Sequence, residues 1–292
     1  MPLGAVVSFY SPCNYELPKR HLATTLQWLL DSGVQVAFTQ ATFSGQEPQP
    51  APKDVRVRVY ENAEPIFYKE NLWNLGAQLL PECDKLLFLD CDIRLSDGWT
   101  GHVSGVLDSL DICSPFQRAR WLDKDGNIFQ QMFSAGAAVA RGLAPWPHRA
   151  HPGFGVAMTR DAFKRLGGFY DRAIAGGGDA AFWFALSDHP EMESILRTKA
   201  QKGEMNIGVE SFDLYRANAL DQRFRAGCVP GDSATHFWHG ERENRQYLKR
   251  ETYFPKLSSG EPPVEYREDG LLRYTAAAPA AMDYFLLRKE DG

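Results

Sequence analysis

The sequence predicts an α/β protein built on a mostly parallel central sheet, flanked by helices, with a small hairpin-and-helix appendage at its C-terminal end. Three observations predict it. Strand-like and helix-like periodicities alternate through the first third of the chain. The run Leu86-Leu87-Phe88-Leu89 is apolar without alternation, as expected of a strand buried on both faces. From Lys256 the composition changes, with Ser258-Ser259-Gly260-Glu261-Pro262-Pro263 reading as a linker before two short strand-like segments.

Taken in order, Ala5 to Tyr10 is a first strand, broken by Ser11-Pro12-Cys13-Asn14. His21 to Asp31 carries apolar Leu22, Leu26, Leu29 and Leu30 at helical spacing and stops at Ser32-Gly33. Val34 to Thr39 is a second strand. The segment 40–53, rich in Pro, Gln and Ser, is a loop. Val55, Val57 and Val59 alternate with polar neighbours and give a half-exposed third strand. Tyr68 to Leu80 reads as a helix closed by Pro81, and the buried strand follows. The order β-α-β-β-α-β is that of a nucleotide-binding half of an α/β sheet.

Beyond it, Trp99 to Leu110 reads as a helix and Asp111 to Phe116 as a strand. Ala119 to Phe129 is a hairpin turning at Asp125-Gly126. Ala135 to Pro152 lacks periodicity and reads as a mobile loop over a site. Gly153 to Met158 is a strand, Arg160 to Leu166 a short helix, and Asp179 to Leu186 the start of another. Arg242 to Arg250 is a basic helix or turn. Val264 to Arg267 and Leu271 to Tyr274 form a terminal hairpin, and Ala280 to Lys289 a last helix. We divide the chain into a main domain, 1–255, with a nucleotide-binding half 1–95 and a second half 96–255, and an extension 256–292.

The 292 residues suffice for one large domain, and 44% hydrophobic content suits a folded core. A net charge of -5 argues against a general nucleic-acid or membrane-surface binder. No apolar run is long enough to span a bilayer, and no secretory leader is visible at the N-terminus. Five scattered cysteines without C-x-x-C spacing suit reduced thiols and a cytoplasmic setting.

Three motifs could carry chemistry. Asp90-Cys91-Asp92 ends the buried strand, where open α/β sheets place ligands. On an extended strand both carboxylates point the same way. They form either a polar strand end or a divalent-cation site. Ala175-Gly176-Gly177-Gly178-Asp179 is a glycine-rich turn into a helix, with Asp179 an N-cap or a functional carboxylate. His236-x-x-His239 is either a pair of half-buried core histidines or a pair of metal ligands.

Together these motifs resemble glycosyltransferases of the GT-A (Rossmann-like) fold: the family 2 group, the β-1,4-galactosyltransferases and the polypeptide N-acetylgalactosaminyltransferases. The resemblance spans about Ala5 to Arg250. It is strongest in Phe67 to Gly76, with its Asn-x-Gly, and in Gly153 to Phe169, ahead of the acidic turn. It implies a metal-dependent transferase using Mn²⁺ or Mg²⁺ and a nucleotide-sugar donor, with a UDP-sugar as the first expectation. Asp92 would bind the metal, and Asp90 the ribose or the metal through water. One or both of His236 and His239 would complete the metal site. Ser8, Tyr10, Lys69 and Asn74 would face the nucleotide or diphosphate, and Arg242 and Arg245 would close over it. Asp179 would be the general base or would fix the acceptor.

Two departures from the family pattern stand out. Gln40 occupies the place of the usual base-reading acid, and Gly177-Gly178-Asp179-Ala180 has one carboxylate where relatives carry Gly-Gly-Glu-Asp or Gly-Gly-Glu-Asn. A single candidate base favours an inverting outcome. Trp121, Trp146, His148 and His151, with Gly177 and Gly178, lie in segments expected around the acceptor. That acceptor is a saccharide or another soluble hydroxyl compound, with a hydroxymethylated base in DNA as an alternative. The alternative of another class is a nucleotide- or sugar-binding module without catalysis. A nucleotidyltransferase fits poorly, because Ser11-Pro12-Cys13-Asn14 is not a glycine-rich, basic phosphate loop.

Overall fold

A computed structural model describes residues 2–145, 150–192, 194, 209–241, 263–275, 280–288 and 290–291. The chain is a mixed α/β protein. Its main sheet has seven strands, in spatial order β10-β6-β9-β4-β1-β2-β3. These are β1 (Leu3–Tyr10), β2 (Gln35–Ala41), β3 (Arg56–Tyr60), β4 (Lys85–Leu89), β6 (Ile112–Ser114), β9 (Gly155–Thr159) and β10 (Ala226–Cys228). β9 runs antiparallel to both β4 and β6. The expectation of a mostly parallel sheet therefore gives way to a mixed one. A strand covered on both faces shows the same unbroken apolar run in either direction, so Val156 to Met158 did not reveal its sense.

Alternation along the central strands divides the core. Ala5, Val7 and Phe9 of β1 and Leu87 and Leu89 of β4 pack with α1 (Glu16–Asp31) and α3 (Trp99–Val106). Val6, Leu86 and Phe88 face α2 (Lys69–Ala77), α5 (Arg160–Leu166) and α6 (Gly178–Ala185). Phe88 sits among Trp73, Phe163 and Phe169, with ring centroids 5.8, 5.5 and 4.8 Å away. Each such ring buries enough apolar area to be worth roughly 3 kcal/mol. Gly76 lets α2 settle onto the sheet, because a Cβ there would lie 2.5 Å from Val6 Cγ1.

A second, four-stranded sheet has the order β5-β11-β7-β8 and stands beside the carboxyl end of β4. It comprises β5 (Ile93–Leu95), β7 (Arg118–Leu122), β8 (Ile128–Phe133) and β11 (Ser233–His236). Part of the expected loop 135–152 is instead a helix, α4 (Ala135–Val139), capped by Ser134, whose hydroxyl accepts from the Ala137 N–H at 3.1 Å. Its run of small residues packs too tightly to need a wide apolar stripe. A further helix, α7 (Val209–Asp221), was not read from the sequence.

The terminal hairpin, β12 (Val264–Tyr266) and β13 (Leu272–Tyr274), and helix α8 (Ala280–Leu287) form as expected. They pack onto the main body. Leu271 and Leu272 share a cluster with Tyr68 and Leu72, and the Leu272 N–H bonds Asn71 Oδ1 at 3.2 Å. No helix among the described residues is long and apolar enough to cross a membrane.

Candidate active site

β4 ends at Leu89, and the chain turns through Cys91 and Asp92 before β5 begins. This turn changes what the two aspartates do. An extended backbone would have aimed both carboxylates the same way; the turn sends them to different partners. Asp90 Oδ1 lies 3.5 Å from Lys69 Nζ. Asp92 Oδ2 lies 3.3 Å from His236 Nε2 and 3.0 Å from His239 Nε2.

The second sheet brings the histidines there. β5 and β11 pair antiparallel with His236 opposite Ile93, so the residue after β11 meets the residue before β5. The Phe237 N–H accordingly donates to the Asp92 carbonyl at 3.0 Å. α1 braces both segments: Thr25 donates to the Cys91 carbonyl at 2.8 Å, and His21 Nε2 bonds the Trp238 carbonyl at 2.9 Å.

Asp92, His236 and His239 each offer one ligand atom, and the three atoms lie within 4.8 Å of one another. Both histidines are buried. Burial opposes the ionised form of Asp92, but His236 and His239 outweigh it and hold the carboxyl well below its ordinary range. Two imidazoles and one carboxylate suit a first-row divalent ion such as Mn²⁺, and equally Fe²⁺. The donor set therefore fits Mn²⁺ better than Mg²⁺, which takes oxygen ligands.

In the same cleft, Lys69 gathers three carboxylates. Its Nζ is 3.3 Å from Asp179 Oδ2, 3.5 Å from Asp90 Oδ1 and 3.8 Å from Glu70 Oε1. Burial disfavours the ammonium, but Asp179, Asp90 and Glu70 overcome it and raise its pKa well above the ordinary value. Burial also works against ionised Asp179, yet Lys69, His151 and the Ala180 N–H leave its pKa lowered. Burial dominates at Glu70 and raises it to about 7. Glu70 was absent from the expected site. Its carboxyl fills the space beside Gly178, where a Cβ would lie 2.3 Å from Cδ. A glycine at that helix start is the one signal that could have pointed to it.

These groups line a cleft of about 890 Å³. Ser8, Tyr10, Lys69, Asp90, Asp92, Trp121, His151, Gly177, Asp179, His236 and His239 all border it. Gly178 faces Glu70 rather than the opening. Two expected nucleotide contacts do not reach the cleft. Asn74 spends its amide on the Phe169 backbone, donating to the carbonyl at 2.9 Å and accepting from the N–H at 2.8 Å. Its Asn-x-Gly motif is a fastening between α2 and the Gly167-Gly168-Phe169 turn. Gln40 is buried and exchanges two bonds with the Gln49 backbone, at 3.0 and 2.8 Å, to hold the 40–53 loop. Trp146, His148, Arg242 and Arg245 lie outside the described residues.

Behind the metal ligands stands an aromatic wall. Phe154 stacks on His236 at 5.3 Å, and His151 and Trp121 meet Phe154 at 4.2 and 4.9 Å. Phe154 holds a φ of 75°, a left-handed conformation. For a bulky side chain that costs about 1–3 kcal/mol and persists only when its surroundings impose it. Here the Phe154 carbonyl accepts from the Asp90 N–H at 3.0 Å while its ring backs His236, so one strained residue touches both arms of the site.

No family model and no curated protein matches the sequence. Among solved structures, HddC from Yersinia pseudotuberculosis is similar at a TM-score of 0.32 and 11% identity, over 55% of this chain and 78% of that chain. A likeness at that level carries no argument about fold or function.

Proposed function

We propose that the chain is a metal-dependent glycosyltransferase of the GT-A type, moving a sugar from a nucleoside-diphosphate donor, a UDP-sugar first, to a hydroxyl acceptor. The observation that carries this reading is that two sites share one cleft. Asp92, His236 and His239 converge within the cleft lining, and Asp179, whose carboxyl is held below its ordinary range, lines the same cleft. When bound, Mn²⁺ or Mg²⁺ would supply Lewis-acid stabilisation for the charge that grows on the departing diphosphate. Asp92, His236 and His239 would hold it.

The remaining work falls to the chain. Ser8 and Tyr10 at the end of β1 border the space for the nucleoside. Asp179 accepts a hydrogen bond from the acceptor hydroxyl and takes its proton as the new C–O bond forms and the bond to the diphosphate breaks. A positioned base of this kind is worth about 10²–10⁴-fold. Lys69 keeps Asp179 ionised and aimed, at some loss of basicity. Trp121 and His151 offer ring faces and edges for a sugar acceptor.

The described lining carries eight Asp or Glu side chains against three Lys or Arg. That balance disfavours a polyanionic acceptor and favours a neutral saccharide over a base in DNA. The test is turnover of a panel of nucleotide sugars with Mn²⁺, Mg²⁺ or Fe²⁺, with water, a saccharide or hydroxymethylated DNA as acceptor. The reading predicts metal-dependent release of nucleoside diphosphate, abolished in Asp92→Ala and reduced about 10²-fold or more in Asp179→Asn. Binding without turnover would make the chain a recognition module instead.

A further inference from the structure

The last described segment of the chain, which the sequence marks as an appendage, is built into the cleft. Tyr284 and Phe285 of α8 are buried against Ala175, with Tyr10, Cys13 and Phe67 packed around them. The Tyr15 hydroxyl donates to the Phe285 carbonyl at 3.3 Å. Beyond the helix, Asp291 accepts from the Glu16 and Leu17 N–H groups at 3.0 and 2.8 Å. It thereby caps α1, whose own N-cap residue, Tyr15, makes no side-chain cap bond. Held at both ends, the segment crosses the carboxyl end of β1 and places Arg288 and Glu290 in the cleft lining.

Arg288 is set rather than loose. Its guanidinium lies over the Phe67 ring at 5.3 Å and the Tyr284 ring at 5.8 Å, and its Nε donates to Glu290 Oε1 at 2.8 Å. Burial raises the Tyr10 hydroxyl's pKa and Arg288 opposes that rise, so the guanidinium acts on the end of β1. Of the other two cationic lining residues, Lys69 is committed to three carboxylates and Lys124 sits in the turn between β7 and β8. A planar guanidinium backed by aromatic rings is suited to bidentate recognition of a phosphate group.

We propose that Arg288 is a phosphate-binding residue of this cleft, and that Glu290 is the internal anion it exchanges for the ligand's phosphate. The proposal rests on the donor-site reading above and adds to it a binding residue from outside the segment that resembles the glycosyltransferases. It makes the C-terminal segment a working wall of the site.

The experiment titrates wild type, Arg288→Gln, Arg288→Lys and Glu290→Gln with UDP, uridine and inorganic pyrophosphate, each with Mn²⁺, and follows melting temperature as a folding control. Arg288→Gln weakens UDP and pyrophosphate by about 10- to 100-fold, the worth of a hydrogen bond to a charged group, and changes uridine little. Glu290→Gln tightens UDP and pyrophosphate several-fold, because the competing carboxylate is gone. If Arg288→Gln does not fold, Glu290→Gln and the partial retention in Arg288→Lys decide the matter. Wild-type affinity for UDP and pyrophosphate in Arg288→Gln, or no tightening in Glu290→Gln, overturns the proposal while leaving the transferase reading intact. Arg288-dependent binding without turnover of any sugar donor overturns the transferase reading alone. Wild type that binds neither probe overturns both.

Discussion

Replacing Glu70 with Gln tests the electrostatics of the cleft without touching the three proposed metal ligands. Glu70 is 3% exposed, and its Oε1 has no hydrogen-bond partner among the described residues. Burial raises its pKa from 4.5 to about 7, with Lys69 opposing that rise and Asp179 and Asp90 adding to it. The folded state therefore holds this proton more tightly than the unfolded chain does. Below pH 4.5 both states are protonated and the group costs nothing. As pH rises from 4.5 to 7 the unfolded chain ionises first, and stability falls. A shift of that size amounts to about 3 kcal/mol, fully lost above pH 7. Gln keeps the shape of the protonated acid and removes the titration. Urea unfolding in EDTA should show Glu70→Gln more stable than wild type by about 3 kcal/mol at pH 8 and nearly equal at pH 4.5. Lower stability at pH 8, or a gain that does not depend on pH, would show that Glu70 does not titrate with a raised pKa in the folded state.

The converse change, Lys69→Met, leaves Asp179, Asp90 and Glu70 facing one another without their shared cation. It should cost roughly 3–5 kcal/mol at pH 7 in the same urea assay, with part of the loss recovered as the carboxyls protonate in acid. Phe154→Gly relieves the left-handed backbone and Phe154→Ala does not, so the glycine variant should be the more stable by about 1 kcal/mol in thermal unfolding. Both lose the ring behind His236, and calorimetry should show Mn²⁺ binding about 10-fold weaker in each. Asp291→Ala removes the cap of α1 and should lower stability by about 1 kcal/mol, measured by denaturant midpoint.

Much of the fold could be read because local chemistry agreed with the final structure. The helix Arg160–Leu166 appears at the residues its pattern indicated, with Thr159 as cap and Gly167 at a φ of 82° closing it. The hairpin turning at Asp125-Gly126 is likewise present, with Gly126 at a φ of 84°. What could not be read depended on partners distant in sequence. The direction of β9 is set by its neighbours. The turn after Leu89 is held by α1 through Thr25, so the parting of Asp90 from Asp92 has no local signal.

The same contrast holds in the candidate site. Asp92, His236 and His239 were legible as motifs, and their convergence needed the pairing of Ile93 with His236. Asn74 and Gln40 looked like ligand contacts because amides serve ligands and backbones equally well. Only the structure shows their bonds spent on Phe169 and Gln49. Glu70 sits in the first turn of a helix and Arg288 just past the end of one, where a charged residue reads as solvated surface.

If the proposed function holds, Asp92, His236 and His239 form a divalent-metal site that serves a nucleoside diphosphate. The most direct measurement is Mn²⁺ binding followed by electron paramagnetic resonance, with and without UDP, in wild type, Asp92→Asn and His239→Ala. Wild type should bind one Mn²⁺ per chain, tightened by UDP, and each variant should lose about 10-fold or more in affinity. Unchanged Mn²⁺ binding in both variants, or no Mn²⁺ bound by wild type in the presence of UDP, would contradict that site.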